Sequence, residues 1–223
     1  MLKSSPTHVA LSEKDYVDFA EASEVRFIQL QRQLLELNIP VLIAIDGWST
    51  AGKGHCIGQV VAPLDPRGFT VQTSNSIHKT VSPLEDYWRG TPQQGHISIF
   101  DRSWYRPAIK NKVHKKRPNP SLLKDALNFE QQLIDSGCLI IKIFLHISRK
   151  EQLRRIKLLQ ADPHNSWRIT ANDLKQNLYY KEYRKASSKI LSASDTESAP
   201  WNIIAADNRF HAQKHCLEVI EHA

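Results

Sequence analysis

Val41-Leu-Ile-Ala-Ile45 runs through Asp46 into Gly47-Trp-Ser-Thr-Ala-Gly52-Lys53-Gly54. The first five residues are apolar on both faces and rich in β-branched side chains, which is how a strand buried inside a parallel sheet reads. The octapeptide satisfies Gly-x4-Gly-Lys, and a helical pattern from about Lys53 to Val61 follows it, the setting that this motif requires. Glycines let backbone N–H groups turn inward around phosphate oxygens, and a helix N-terminus adds positive dipole. Lys53 supplies a mobile point charge. The phosphate loop therefore comprises Gly47, Trp48, Ser49, Thr50, Ala51, Gly52, Lys53 and Gly54. The plainer alternative is a tight strand-to-helix turn that binds nothing. The Ser or Thr that ordinarily follows the lysine and holds Mg²⁺ is Gly54 here, so a metal must be held by other groups.

Outward from the loop, strands and helices alternate. Ser12-Glu-Lys-Asp15 opens a helix carrying Phe19, Phe27, Leu30, Leu34 and Leu37 as far as Asn38-Ile-Pro40. Phe69–Thr73 and His96–Phe100 are further candidate strands, and Pro120 or Ser121 opens a helix that Gly137 closes. Cys138–His146 is a fourth strand. Ser148-Arg-Lys-Glu151 is a capping box that starts a charged helix, and Thr170-Ala-Asn-Asp173 starts one more. Trp201–Ala205 is the last strand, with a terminal helix from about Asp207. Such alternation implies an α/β fold, with a parallel sheet covered on both faces and ligands outside the carboxyl ends of its strands.

The 223 residues suit a single domain, 1–223, and a composition of 41% apolar and 24% charged residues is globular. The longest apolar runs are too short to cross a bilayer and no signal-peptide pattern opens the chain. Cys56, Cys138 and Cys216 are odd in number and widely spaced, which suits reduced thiols. A cytoplasmic protein without a membrane partner is expected. The net charge of +7 favours an anionic partner, and nucleic acid, phosphorylated metabolites and polyphosphate all fit it.

His96-Ile-Ser-Ile-Phe100 ends in Asp101-Arg102-Ser103-Trp104-Tyr105. A carboxylate at the tip of a second buried strand is where phosphate-loop enzymes place a group for Mg²⁺, and an adjacent arginine neutralises charge on a transferring phosphoryl group. The plainer reading is a helix cap, Asp101, with Arg102 as its salt-bridge partner. Around this pair, Gly47–Gly54, Leu64-Asp-Pro-Arg-Gly-Phe69, Phe100–Tyr105, Leu145-His-Ile-Ser148, Glu151-Gln-Leu153, Asp162-Pro163 with Trp167, and Ala199-Pro-Trp201 stand in the order of the family-2 polyphosphate kinases. The chain resembles that family over roughly residues 40 to 220.

The resemblance implies a three-layer α/β/α phosphate-loop kinase fold, with an N-terminal helical segment (1–39) and a helical lid (148–190). It implies reversible, Mg²⁺-dependent (or Mn²⁺-dependent) phosphoryl transfer between inorganic polyphosphate and a nucleoside mono- or diphosphate. Lys53, Asp101 and Arg102 are then the catalytic residues, with Asp101 and Ser49 at the metal. Arg89, Arg106, Lys110, Lys112, Lys115, Lys116 and Arg117 would line a polyphosphate channel, although a basic run is more commonly a solvated face. Arg155 and Arg168 belong to the lid. Nucleic acid is not expected as a partner, and a homodimer or homotetramer is.

Three departures bear on activity. The family's loop carries an aspartate where this chain has Ser49, its lid arginine falls at Leu159, and a lysine before Arg209 is Asn208. With Gly54 also silent, Asp101 and Asp46 are the carboxylates left to a metal, and Arg154, Arg155, Lys157 and Arg168 stand near enough in sequence to offset Leu159. Two alternatives to a working polyphosphate kinase follow: a catalytically weakened or inactive member that only binds polyphosphate or nucleotide, and an ATP-dependent nucleotide or nucleic-acid 5′-kinase.

Overall fold

The computed structural model of the protein describes residue 2 and residues 5–73, 82–114 and 119–223. Along the chain come α1 (Glu13–Leu37), β1 (Val41–Gly47), α2 (Lys53–Val61), β2 (Phe69–Thr73), α3 (Glu85–Arg89), β3 (Ile97–Asp101) and α4 (Arg106–His114). Then follow α5 (Ser121–Asp135), β4 (Leu139–His146), α6 (Arg149–Ala161), α7 (Ala171–Leu178), α8 (Tyr180–Ala193), β5 (Trp201–Ala205) and α9 (Arg209–Glu221).

All five strands pair in parallel, in the order β2-β3-β1-β4-β5. The α/β fold read from the alternation of elements is the one observed. β1 lies at the centre because its residues can be buried on both faces, and Val41 to Asp46 are all buried. The chain builds β2 and β3 on one side of β1, then crosses to β4 and β5 on the other. The strand order thus reverses at the carboxyl end of β1, where open α/β sheets leave a crevice. Register puts Ile45 beside Asp101 and Gly47 beside Leu145. Gly47 has φ +132°, and a Cβ there would strike the Leu145 carbonyl oxygen, so the loop must begin with glycine.

Helices pack on this frame in two groups. α9 lies against α1 and α2, and α4 lies against α5 and α8. Ser12 caps α1 by accepting from the Asp15 N–H at 3.1 Å, and Asn38 closes it in the left-handed conformation with φ 56°. Arg26 of α1 ties to Glu221 of α9 at 3.0 Å. The three cysteines are free and buried. Among the described residues no helix is long and apolar enough to cross a membrane.

Two local expectations change. The helix opened by Thr170 is broken at Tyr179, giving α7 and α8. Asn177 is buried there and donates to the Arg149 carbonyl oxygen and Gln152 Oε1, while the Tyr180 hydroxyl donates to the Ile147 carbonyl oxygen. These anchors to the start of α6 redirect the chain. At Ser148 the hydroxyl accepts from the Glu151 N–H at 3.2 Å, as a cap should. The Ser148 N–H, however, goes to Asp207 Oδ1 at 2.7 Å, and Glu151 turns to Arg154 and Arg155 instead.

Candidate functional site

The loop is pinned from beneath by its own tryptophan. Trp48 is buried, donates from Nε1 to His146 Nδ1 at 2.9 Å and stacks on Tyr180 with ring centroids 4.2 Å apart. Its side chain is therefore an anchor, and the loop backbone is what faces outward. Thr50 with φ 58° and Gly52 with φ 104° turn that backbone before α2 starts at Lys53. The buried Lys53 ammonium donates to the Trp48 carbonyl oxygen at 2.9 Å. Burial pulls its pKa down to about 8, Asp101 and Asp46 resist that, and Arg102 and Arg106 add to it.

Asp101 ends β3 beside the loop. Its Oδ1 is buried without a hydrogen-bond partner, as is the Nε of Arg102. Neither residue forms the cap and ion pair of the plainer reading: α4 begins only at Arg106, whose N–H reaches the Ser103 carbonyl oxygen at 3.1 Å. Arg102 holds φ 88°, a costly conformation for a residue with a side chain, fixed by its N–H donating to the Ile45 carbonyl oxygen at 3.0 Å. Asp46 is a structural tie between the start of the loop and the segment after β3. Its Oδ1 accepts from Gly47 N–H at 2.7 Å, and its Oδ2 from Ser103 N–H and hydroxyl at 3.1 and 2.5 Å.

α4 brings Arg106 and Lys110 to the same hollow that Lys53 and Arg102 line. Burial lowers the pKa of both, and the neighbouring guanidinium groups lower it further. Four cations thus crowd one another, an arrangement that a polyanion relieves. From the hollow a wider cleft of about 740 Å³ opens past Gly52, Gly54, His55, Arg154, Leu159, Arg168 and Arg209. The pKa of His55 is lowered by burial first, then by Arg168, Arg209 and Arg155.

Arg155 reaches the loop from α6. It donates to the Thr50 carbonyl oxygen at 3.1 Å, to those of Ala206 and Asp207 at 2.8 and 2.9 Å, and to Glu151 at 2.8 Å. It braces the loop with every donor nitrogen engaged. Arg168 stands in the cleft, with Nη1 3.3 Å from Asn165 Oδ1. Asn208 caps α9 by accepting from the His211 N–H at 3.0 Å, a task that a lysine cannot perform.

Two members of the expected channel are placed elsewhere. Arg89 is 76% exposed, pairs with Glu85 one turn back at 3.0 Å, and lines neither the hollow nor the cleft. Lys112 faces Lys189 and lines neither as well. Lys115, Lys116 and Arg117 lie outside the described residues.

The sequence reading missed what covers Ser49. The Ser49 hydroxyl donates to Asp173 Oδ1 at 2.6 Å, and its N–H donates to Gln176 Oε1 at 2.7 Å. Gln152 closes the network, donating to Gln176 at 3.0 Å and to the Ser49 carbonyl oxygen at 3.3 Å. The one available signal was the capping box at Thr170, which named Asp173 for a local reason. That box is formed, with Asp173 Oδ2 accepting from the Thr170 N–H and hydroxyl at 2.7 Å each.

Comparison with known proteins agrees with this geometry. The family model described as polyphosphate kinase 2 (PPK2) matches residues 10–223. ADP-polyphosphate phosphotransferase 3 of Rhizobium meliloti is 30% identical over 194 residues, covering 84% of this chain and 68% of the relative. Polyphosphate:AMP phosphotransferase of Pseudomonas syringae pv. tomato is 28% identical over 229 residues, and there the chain spans 46% of the relative's length. Among solved structures, polyphosphate kinase 2 from Arthrobacter aurescens TC1 superposes with a TM-score of 0.89 at 25% identity, over all of this chain and 82% of that one. With the family model spanning nearly the whole chain, this protein belongs to the polyphosphate kinase 2 family.

Proposed function

We propose that this protein catalyses reversible phosphoryl transfer between inorganic polyphosphate and a nucleoside mono- or diphosphate. The observation that carries it is the convergence of Lys53, Arg102, Arg106 and Lys110 on one hollow beside the phosphate loop. A polyanion without bases offers a protein little but charge to read, and α4 extends that charge away from the loop. The names of the relatives, an ADP-polyphosphate and a polyphosphate:AMP phosphotransferase, support a nucleotide as the acceptor.

Each residue has a task that its geometry suits. The loop N–H groups at the turn into α2, those of Gly52, Lys53 and Gly54, cradle the terminal phosphates at the helix N-terminus. Lys53, released from the Trp48 carbonyl oxygen, places its ammonium on the transferring group. Arg102, rigidly aimed by its strained backbone, meets the charge on the equatorial oxygens. No strong base is required, because a nucleotide phosphate is already an oxyanion. Arg106 and Lys110 hold the remaining polyphosphate in line.

The acid side fits Mg²⁺ or Mn²⁺. Among the described residues no three His, Cys, Asp or Glu side chains gather into a metal cage. A kinase metal needs only one or two carboxylates, with water and substrate phosphates completing its shell. Asp101 offers a buried oxygen without a hydrogen-bond partner, and Ser49 a neutral one. When bound, the ion would neutralise charge on the phosphates.

The test is a donor and acceptor panel. Long-chain polyphosphate and ATP are each offered with AMP, ADP, GMP and GDP, with Mg²⁺ or Mn²⁺ present. Polyphosphate-dependent product is expected, and transfer from ATP alone would favour the ordinary nucleotide-kinase reading.

A further inference from the structure

Asp173 is the acidic group over the loop that has no task in the scheme so far. Its Oδ2 is engaged with Thr170, while its Oδ1 accepts from the Ser49 hydroxyl and faces the hollow. If α7 needed only a cap, Oδ2 would suffice. The second oxygen instead crosses 124 positions of sequence to the phosphate loop. Gln176 and Gln152 clamp the Ser49 backbone from the same side, so the carboxylate is held at a fixed place.

Charge bookkeeping gives the placement meaning. Ser49 and Gly54 carry no charge; Asp46 is tied to Gly47 and Ser103, Glu151 to Arg154 and Arg155, and Asp207 to the Ser148 N–H, which leaves Asp101 and Asp173 as the acidic side chains at the hollow and the adjoining cleft without such a tie to the frame. The Asp173 carboxylate lines the same hollow as Lys53 and Arg102, close to where phosphates are to sit. An anion in that place repels the substrate unless a cation lies between them.

We propose that Asp173, steered by Ser49, is the second carboxylate of the divalent-cation site and supplies from α7 the negative charge that the loop itself lacks. The proposal rests on the phosphotransferase reading above. Asp101 from β3 and Asp173 from α7 then face the ion from two sides, and substrate phosphates and water complete its shell. Binding the ion also fastens α7 to the loop.

Mn²⁺ binding followed by EPR at saturating tripolyphosphate tests this without catalysis. Asp173→Asn is expected to weaken Mn²⁺ by about tenfold or more. Ser49→Asp alone is expected to bring no gain, because it sets two carboxylates in contact. The exchange Ser49→Asp with Asp173→Ser returns one carboxylate to the site and should recover affinity to within about threefold of wild type. A cap of α7 cannot be rescued from position 49, so this recovery separates metal binding from helix capping, with circular dichroism confirming the fold of each variant. Unchanged Mn²⁺ affinity in Asp173→Asn, or no recovery in the folded exchange variant, overturns the proposal. If polyphosphate-dependent transfer persists beside either result, the phosphotransferase reading stands. A wild-type protein that takes up no Mn²⁺ with tripolyphosphate overturns both.

Discussion

The Lys53 ammonium donates to the Trp48 carbonyl oxygen at 2.9 Å, closing the phosphate loop on itself around a buried charge. That charge costs stability, since burial brings the lysine from the ordinary value of 10.5 to about 8. Between those values the unfolded chain binds more protons at this site than the folded one. The penalty is complete below pH 8 and disappears as pH rises through 10.5. Lys53→Met is therefore expected to abolish transfer yet raise unfolding stability by roughly 1–3 kcal/mol at pH 7. The gain should shrink toward pH 10, as denaturant unfolding at the two pH values will show.

His146 gives a dependence of the same sign in a more acidic window. It accepts from Trp48 Nε1 at 2.9 Å, and burial first, then Arg184, lowers its pKa, with Asp207 opposing. The stability that this neutral imidazole contributes is complete above the ordinary histidine value of about 6.5 and is lost as pH falls below it. His146→Gln keeps an acceptor for the indole and should flatten the acid limb of a melting-temperature profile. His146→Leu strands the indole N–H and should cost about 1–3 kcal/mol at pH 7.

Tyr105, part of the Phe-Asp-Arg-Ser-Trp-Tyr block, serves the core. Its hydroxyl donates to Glu130 at 2.8 Å, and Lys142 pairs with the same carboxylate at 2.8 Å with side chains 0% and 2% exposed. Glu130→Gln is expected to cost about 3–5 kcal/mol by leaving the buried ammonium uncompensated. Glu130→Leu with Lys142→Met should recover most of that, measured as a double-mutant cycle.

The channel is expected to be narrower than the basic run suggests. Arg106→Ala should lower kcat/KM with polyphosphate by roughly a hundredfold, as for a charge aimed at transferring phosphate. Arg89→Ala removes only an exposed pair and should change it by less than about threefold. Equal losses at the two positions would return Arg89 to the channel.

What the sequence made legible was local. β1 and β4 are long, mainly apolar runs buried on both faces, which leaves no other pattern, while the edge strands β2 and β5 were read from short β-branched and aromatic stretches; all four limits were read to within a few residues. Gly47, Gly52 and Lys53 were equally plain, since only glycine fits against Leu145 and only that spacing cradles phosphate. The break at Tyr179 was not legible, because long-range hydrogen bonds of Asn177 and Tyr180 cause it. Asp173 was recognised solely as a cap, since one oxygen acts within three residues and the other acts across the fold. Ser49 therefore looked like a lost charge when read alone, and it is a donor to a carboxylate when seen beside α7.

The most direct measurement of the central claim is the initial rate of nucleotide phosphorylation from long-chain polyphosphate by the wild-type protein and by Lys53→Ala. Product from the wild type, reduced by at least about a thousandfold in the variant, is the predicted result. Absence of product from the folded wild type with every acceptor, or equal rates in the two proteins, would contradict it.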